Sequence, residues 1–489
     1  MSQQKALRDN DSASVFPYGV DGAPTVVIRD RDASGGVADG VIDHNNAHDQ
    51  VRAYFGLRRG GSHVYALDIT NPDAPEMLWR IGPDGLFNSS GQIAGSASHF
   101  AEMALSFSNP QAGRIRYEQG GNSNVSSAVV FGAGYNGGRT VANVRLGKDL
   151  ARGSDGVLGL DDGKGNAIYL VDAFTGELIW KAAKGTFNST TPYNAASKTF
   201  LHPLMTDSFA ADTTAVDTDG DGNIDRLYAL DTGGRLWRAD FPGSDRSKWT
   251  ITPLASVGRH NTANVSNDRR FFQAPDYVPY RDSSGAYDAI VFGSGDRADP
   301  FNAATQNHLF VYRDRDVATG KTVAQINTNE SDLDTLSDFV DLTAACADGA
   351  AGCGTSADNA IGWRLALTGR GEKIMSQPLT TGGVIFVTSY VMPDPNSRTC
   401  APEEGSNRLY GVALADSRPV INDFIDDSDG DKRSTDGGSP GLAGEVNSLA
   451  SNSIAANTMT LEARSPRYYP VYWRERRGDD ETRPQASTP

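Results

Sequence analysis

The sequence predicts an all-β fold, a β-propeller of a modified seven-bladed kind with long loop insertions. Short β-prone segments recur along the 489 residues, which include 53 glycines and 23 prolines. Long apolar patterns of helical period are scarce. Small repeated antiparallel sheets cannot each bury both faces alone, so they stack radially, and six or eight blades remain open. The long polar insertions at 138–166 and 315–360 are expected on the rim or one face.

Composition divides the chain into three parts. Residues 1–50 are polar and rich in Asp and Gly, and they predict an extension or linker with one strand at Thr25 to Ile28. Residues 51–475 predict the propeller, and residues 476–489 a polar C-terminal tail.

Five copies of one strand unit define the repeat. Each copy begins with two β-prone segments. In chain order the pairs are 51–56 with 64–68, 128–134 with 168–172, 227–231 with 236–237, 289–295 with 309–312, and 384–389 with 409–414. In three copies Tyr65, Tyr169 and Tyr228 stand three residues before an Asp, and a turn leads to a Trp. We expect the Tyr and Trp to pack between neighbouring sheets and the Asp to cap the turn. Weaker segments at 107–115 and 468–474 are candidates for further strands.

An acidic loop lies inside the third copy. Residues 217–225 read Asp-Thr-Asp-Gly-Asp-Gly-Asn-Ile-Asp and match the first nine positions of a calcium loop. Position twelve is Tyr228 instead of Glu, and both flanks are β-prone, so we expect a hairpin connection inside a sheet. The predicted ligands are the carboxylates and one backbone carbonyl, that is Asp217, Asp219, Asp221, the Asn223 carbonyl, and Asp225 in the closing role.

Calcium fits this loop better than magnesium, which prefers a smaller octahedral shell with several waters. The alternative is a solvated acidic turn, but four crowded carboxylates repel one another unless a cation neutralises them.

The net charge of the chain limits the classes of partner that it is expected to bind. The net charge is −16 and the pI is about 4.9, so the chain repels nucleic acid and anionic lipid surfaces and favours cations. No run of eighteen apolar residues occurs, which predicts no membrane span.

The N-terminus lacks the apolar core of a signal peptide, so the sequence is either cytosolic or an excised piece of a larger secreted chain. Two features favour the secreted piece. A calcium loop without the Glu at position twelve suits extracellular calcium concentrations. Cys346 and Cys353 have a spacing that suits a local disulfide, and Cys400 is either free or paired with one of them.

No catalytic motif was found: the sequence holds no G-x-S-x-G elbow, no H-E-x-x-H and no Walker loop. We therefore predict that the protein is not an enzyme. The alternative is a propeller of the quinoprotein (PQQ-type) dehydrogenase kind, because similar repeats occur there. Those enzymes are typically richer in Trp than the six found here, and many carry adjacent cysteines, which this chain lacks.

Several motifs, in this order, resemble the C-terminal domain of the PilC/PilY family of type IV pilus-associated adhesin and biogenesis factors. They are YFGLRRGGSHVYALDI (54–69), VVFGAGYN (129–136), GNAIYLVDAFTGELIW (165–180), the calcium loop with RLYALDTGGRLWRAD (226–240), GWRLAL…GEKIMSQPLTTGGVIFVTSY (362–390) and VYWRERR (471–477). The resemblance implies a modified seven-bladed propeller with Ca²⁺ on Asp217, Asp219, Asp221, the Asn223 carbonyl and Asp225.

The resemblance also implies a place on the pilus tip or outer surface of a Gram-negative bacterium. It implies roles in pilus biogenesis, extension against retraction, twitching motility and surface attachment. The implied partners are pilins or minor pilins and a host-surface receptor. The sequence departs from many members in lacking their N-terminal half, which in several includes a von Willebrand A-like module.

Overall fold

The architecture is all-β, as the sequence predicts. The computed structural model describes residues 19–32, 34–137, 161–258, 265–345, 360–393, 405–420 and 433–436. In these ranges the chain forms 26 strands and no α-helix. No helix in them is long and apolar enough to cross a membrane. The short 3₁₀ helices are Arg58–Gly60, Ala97–Phe100, Arg246–Lys248, Val265–Asn267, Val323–Gln325, Glu330–Asp332 and Leu336–Asp338.

Five sheets follow one another along the chain. The first is an antiparallel meander of β1 (Thr25–Arg29), β2 (Gln50–Gly56), β3 (Val64–Asp68), β4 (Glu76–Gly82) and β5 (Gly85–Asn88). The second contains β6 (Gln111–Gln119), β7 (Asn122–Gly132), β8 (Ala167–Asp172), β9 (Leu178–Lys184), β10 (Tyr193–Asn194) and β11 (Thr199–His202). Strand β11 lies beside β9 and runs parallel to it, with β10 at the edge.

The third and fourth sheets each gain a short parallel strand from the insertion at 315–360. The third contains β12 (Thr214–Val216), β13 (Arg226–Leu230), β14 (Arg235–Asp240), β15 (Thr250–Ser256) and, at its edge, β19 (Asp334–Thr335). The fourth contains β16 (Asp276–Asp282), β17 (Gly285–Gly293), β18 (His308–Asp314), β21 (Gly362–Ala366) and, at its edge, β20 (Val340–Asp341).

The fifth sheet is antiparallel throughout. It contains β22 (Lys373–Ile374), β23 (Leu379–Thr381), β24 (Val384–Val391), β25 (Ser406–Ala413) and β26 (Ser434–Asp436). Both β22 and β23 pair with β24.

Each of the five predicted repeat units forms the centre of one sheet. The strand predicted at Thr25 to Ile28 is confirmed as β1, and it pairs with β2, so it belongs to the first sheet. The candidate strand at 107–115 corresponds to β6, which begins at Gln111. The candidate at 468–474, the tail at 476–489 and the three cysteines lie outside the described residues. The seven-blade count stays a prediction.

Consecutive sheets pack face to face. A separate cluster of buried apolar side chains fills each gap between neighbours: first and second sheets, second and third, third and fourth, fourth and fifth. This order of packing is propeller-like, because the second, third and fourth sheets each bury one face against the sheet before and the other against the sheet after.

The repeated Tyr, Trp and Asp residues occupy the predicted places with one exception. Trp79, Trp180 and Trp237 are fully buried between sheets, as are Tyr169 and Tyr228. The Asp residues that end β3 and β8, and the one that follows β13, accept backbone N–H bonds from their turns. Tyr65 is different: it is half-buried and stacks on Phe55 at a centroid distance of 5.6 Å. It belongs to the first sheet, which has no preceding sheet among the described residues to cover it.

Candidate metal centre

The acidic loop is a hairpin connection inside the third sheet, as the sequence predicts. Strand β12 ends at Val216, β13 begins at Arg226, and these two residues face each other in an antiparallel register. The loop therefore projects from the end of a sheet whose strands hold its two ends at a fixed distance.

Three carboxylates of the loop converge. One oxygen each from Asp217, Asp219 and Asp225 lies within 4.8 Å of the others. Asp217 and Asp219 are exposed, and Asp225 is half-buried. This is the kind of oxygen-rich donor set that a hard divalent cation requires, and it comprises three of the four predicted carboxylate ligands.

Hydrogen bonds from the backbone give the loop its shape. Asp217 accepts from Gly220 N at 2.7 Å through Oδ1 and from Gly222 N at 2.8 Å through Oδ2. Gly222 has φ +82°, which residues with a Cβ rarely adopt, so glycine suits this sixth position. Asp225 Oδ2 accepts from Thr218 N at 2.8 Å, and this bond closes the loop.

Asp221, the fourth predicted carboxylate ligand, points elsewhere. Its Oδ2 accepts from Arg116 Nη2 at 2.8 Å, and its Oδ1 accepts from both the backbone and side-chain nitrogens of Asn223 at 2.8 Å. The Asn223 hydrogen bonds, helped by the nearby Arg116 and Arg114 guanidinium groups, lower the pKa of the Asp221 carboxyl. Asp221 is thus outside the group formed by the other three carboxylates.

Asn223 itself is buried, with 4% of its surface exposed. Its side-chain oxygen Oδ1 is buried and has no hydrogen-bond partner in the described part of the chain. An acceptor without a partner on the same loop as three converging carboxylates fits a cation that prefers neutral and charged oxygens together. The residues of the loop therefore fit calcium, which when bound would neutralise the carboxylates.

The loop is anchored on the second sheet. Ile224 N donates to Arg114 O of β6 at 2.7 Å, and the Ile224 side chain joins the apolar cluster between the second and third sheets. A Cβ on Gly113 would lie 2.6 Å from Ile224 Cδ1, so glycine permits this close approach. No local pattern predicts these contacts, because β6 lies about a hundred residues before the loop.

Tyr228, at position twelve, belongs to the core and not to the loop. Its hydroxyl oxygen lies 3.1 Å from the Asp288 carboxylate and 2.9 Å from the Asp314 carboxylate across the gap to the fourth sheet, and these two acceptors share its single proton. Burial and these two carboxylates raise the pKa of Tyr228 well above its ordinary value, so it remains a donor. The Tyr228 side chain thus serves the contact between sheets.

A buried ionic network continues from the loop into the same gap. Arg226, next to Asp225, bonds to Asp240 at 3.0 Å and to Asp288. Arg238 pairs with Asp240 at 2.9 Å and with Asp314 at 2.7 Å. All of these side chains are at most 6% exposed. Removing one partner would leave a buried charge uncompensated, so the network fixes the base of the hairpin.

Known proteins with similar sequences are pilus proteins. No family model matches the chain. A type IV pilus biogenesis factor PilY1 homolog from Xylella fastidiosa is 22% identical over 399 residues, which cover 74% of this chain. PilY1 from Pseudomonas aeruginosa strain PAO1 is 24% identical over 393 residues, which cover 73%. The chain spans only 21% and 28% of the lengths of these two curated relatives.

The fold also matches that of a solved structure. The crystal structure of the Pseudomonas aeruginosa PilY1 C-terminal domain aligns with a TM-score of 0.51 and 17% identity, covering 86% of this chain and 80% of that one. The fold is that of a propeller-like all-β domain. Its hairpin at 217–225 carries residues of the types that bind metal ions. The chain is thus similar in sequence to these two PilY1 proteins over about three quarters of its length, and similar in fold to the PilY1 C-terminal domain.

Proposed function

We propose that this chain is the C-terminal part of a type IV pilus biogenesis factor. The observation that carries the proposal is the match of 73–74% of the chain to curated relatives that are named as such factors. Those relatives are not named as enzymes, and we propose a non-enzymatic role for this chain. Its partners would be pilins or minor pilins, and its place the pilus tip or outer cell surface.

We further propose that the hairpin at 217–225 binds calcium. The support is the convergence of the Asp217, Asp219 and Asp225 carboxylates on a loop whose ends are held by two paired strands. Bound calcium would remove the repulsion between carboxylates and fix a loop that touches the second sheet through Ile224. A loop fixed in this way could control pilus extension against retraction, and with it twitching motility and surface attachment.

Calorimetric titration tests the metal site. Metal-stripped protein should bind one calcium with micromolar to millimolar affinity, and Asp217→Ala and Asp225→Ala should each abolish or strongly weaken binding, because each removes a converging carboxylate. Asp73→Ala, a change at an exposed turn of the first sheet, is the matched control and should bind as the wild type does. Calcium affinity that survives both loop substitutions would overturn the site.

Complementation tests the pilus role. A deletion strain of the source bacterium should lose surface pili and recover them with the wild-type gene. If calcium controls the process, the gene carrying Asp217→Ala should restore pili or twitching only in part, whereas Asp73→Ala should restore both. Surface pili unchanged by the deletion would contradict the pilus role itself, whatever the outcome of the calorimetry.

A further inference from the structure

We propose that Arg116 of β6 competes with calcium for the carboxylate of Asp221, so that the second sheet sets the calcium affinity of a loop carried by the third. The inference rests on the proposed calcium site and names the residue that regulates it. It concerns an arginine that lies 105 positions from its partner in the sequence.

The Asp221 carboxylate is already engaged by Arg116. The D-x-D-x-D-G pattern places this carboxylate among the metal ligands, yet its Oδ2 is occupied by Arg116 Nη2 at 2.8 Å. The other three carboxylates already converge without it. Recruiting Asp221 to a cation therefore requires that the Arg116–Asp221 pair be broken or rearranged, and the free energy of that pair opposes binding.

Strand β6 lies against the acidic loop and brings two arginines to it. Arg114 and Arg116 are two residues apart on a strand, so their side chains leave the same face of the second sheet. The bond from Ile224 N to Arg114 O fixes this strand against the loop. A Cβ on Gly222 would lie 3.5 Å from Arg114 Nη1, so Arg114 also borders the acidic turn. Two guanidinium charges beside a cation site repel the cation, and both arginines are exposed.

The Arg116–Asp221 pair should change the calcium affinity only modestly. The side chains of Arg116 and Asp221 are 47% and 31% exposed, and ion pairs of this exposure are weak. Competition from such a pair lowers affinity without preventing binding. Removal of the Arg116 charge should tighten calcium binding by about two- to tenfold. The gain should shrink as sodium chloride is raised, because salt screens both the pair and the repulsion.

The test is calcium titration of Arg116→Gln beside the wild type. The matched control is Arg59→Gln, since Arg59 pairs with Asp21 at the same 2.8 Å, with similar exposures of 52% and 30%, beside the first sheet. We expect tighter calcium binding for Arg116→Gln and unchanged binding for Arg59→Gln. Unchanged or weaker binding by Arg116→Gln would overturn the inference. Circular dichroism of each variant checks that the fold is retained.

A double-mutant cycle identifies the route of the effect. In an Asp221→Asn background the pair no longer exists, so Arg116→Gln should tighten binding less than it does in the wild type. An equal gain in both backgrounds would contradict competition for Asp221 and leave only charge repulsion. If the wild type binds no calcium at all, the proposed metal site fails. If it binds calcium and Arg116→Gln changes nothing, the site stands and only the role of Arg116 fails.

Discussion

His202 is a buried histidine at the end of β11, in the gap between the second and third sheets. Its ring meets Trp237 edge-on at a centroid distance of 5.0 Å. Nδ1 accepts a hydrogen bond from Leu204 N, so Nε2 carries the proton and donates to Asn327 O at 3.1 Å. Burial lowers the pKa of His202 to about 3, with a smaller contribution from the Arg235 charge, so the ring is neutral near neutral pH.

This histidine predicts a loss of stability in acid. The unfolded chain takes up a proton near the ordinary pKa of 6.5, but the folded chain does not until about pH 3. The unfolded state therefore binds more protons in this window, and each unit of pH below 6.5 should cost about 1.4 kcal/mol of unfolding free energy.

Urea unfolding between about pH 5 and 7 measures this slope. We expect His202→Gln to reduce the dependence of the unfolding free energy on pH, since Gln takes up no proton. The exposed His44, changed to Gln in the same way, is the control and should leave the slope as it is. An identical slope for His202→Gln and the wild type would contradict the linkage.

At the scale of elements, tryptophans tie neighbouring sheets together. Trp79 of β4 donates from Nε1 to Ala173 O beside the second sheet at 3.0 Å, and Trp363 of β21 donates to Leu414 O beside the fifth at 2.8 Å. Trp180 of β9 is equally buried, but its Nε1 has no hydrogen-bond partner within the described ranges. It packs instead edge-on against Phe241 at 5.6 Å.

This difference makes Trp180 a matched control for Trp363. Replacement by Phe removes similar volume at both sites, but only Trp363→Phe also leaves the buried Leu414 carbonyl without its donor. We expect Trp363→Phe to lower the unfolding free energy by roughly 1 kcal/mol more than Trp180→Phe does. Chemical denaturation of the two variants measures the two losses of unfolding free energy. Equal losses would show that the Trp363 hydrogen bond contributes no net stability.

At the scale of the whole described molecule, each sheet depends on its neighbours for burial. The acidic loop takes part in this, because Ile224 lies in the cluster between the second and third sheets, and Arg226, which follows the loop, lies in the ionic network between the third and fourth. A cation that fixes the loop should therefore stabilise the packing between the second and third sheets and between the third and fourth. The net charge of −16 adds to the effect, because cation binding reduces self-repulsion.

Calcium should accordingly raise the stability of the protein. At a free concentration about one hundred times Kd, one site that is absent from the unfolded chain adds about 2.7 kcal/mol to the unfolding free energy. Denaturation with calcium, with magnesium and with a chelator measures the difference. We expect calcium to stabilise the wild type, magnesium to do so much less, and Asp217→Ala to show no gain. Equal stabilisation by both metals would contradict a calcium-selective loop.

Local sequence patterns predicted much of the fold and, of the four carboxylates expected at the candidate site, the three that converge. The strands of all five repeat units, the hairpin form of the loop, and the convergence of Asp217, Asp219 and Asp225 follow from residue types at short spacing. They could be predicted because strand propensity, turn chemistry and carboxylate spacing act within about ten residues. The parallel strands β11, β19 and β20 were not predicted, since strands of two to four residues carry little pattern.

The sequence by itself determined the all-β class, the repeat and the acidic loop with its donor types. Only the tertiary structure decided that Asp221 stays outside the converging carboxylates, because it brings Arg116 of the second sheet onto Asp221. It also turns the Tyr228 side chain toward the fourth sheet. The physical reason is distance along the chain. Contacts between sheets join residues about 60 to 105 positions apart, and their partners depend on how the sheets stack.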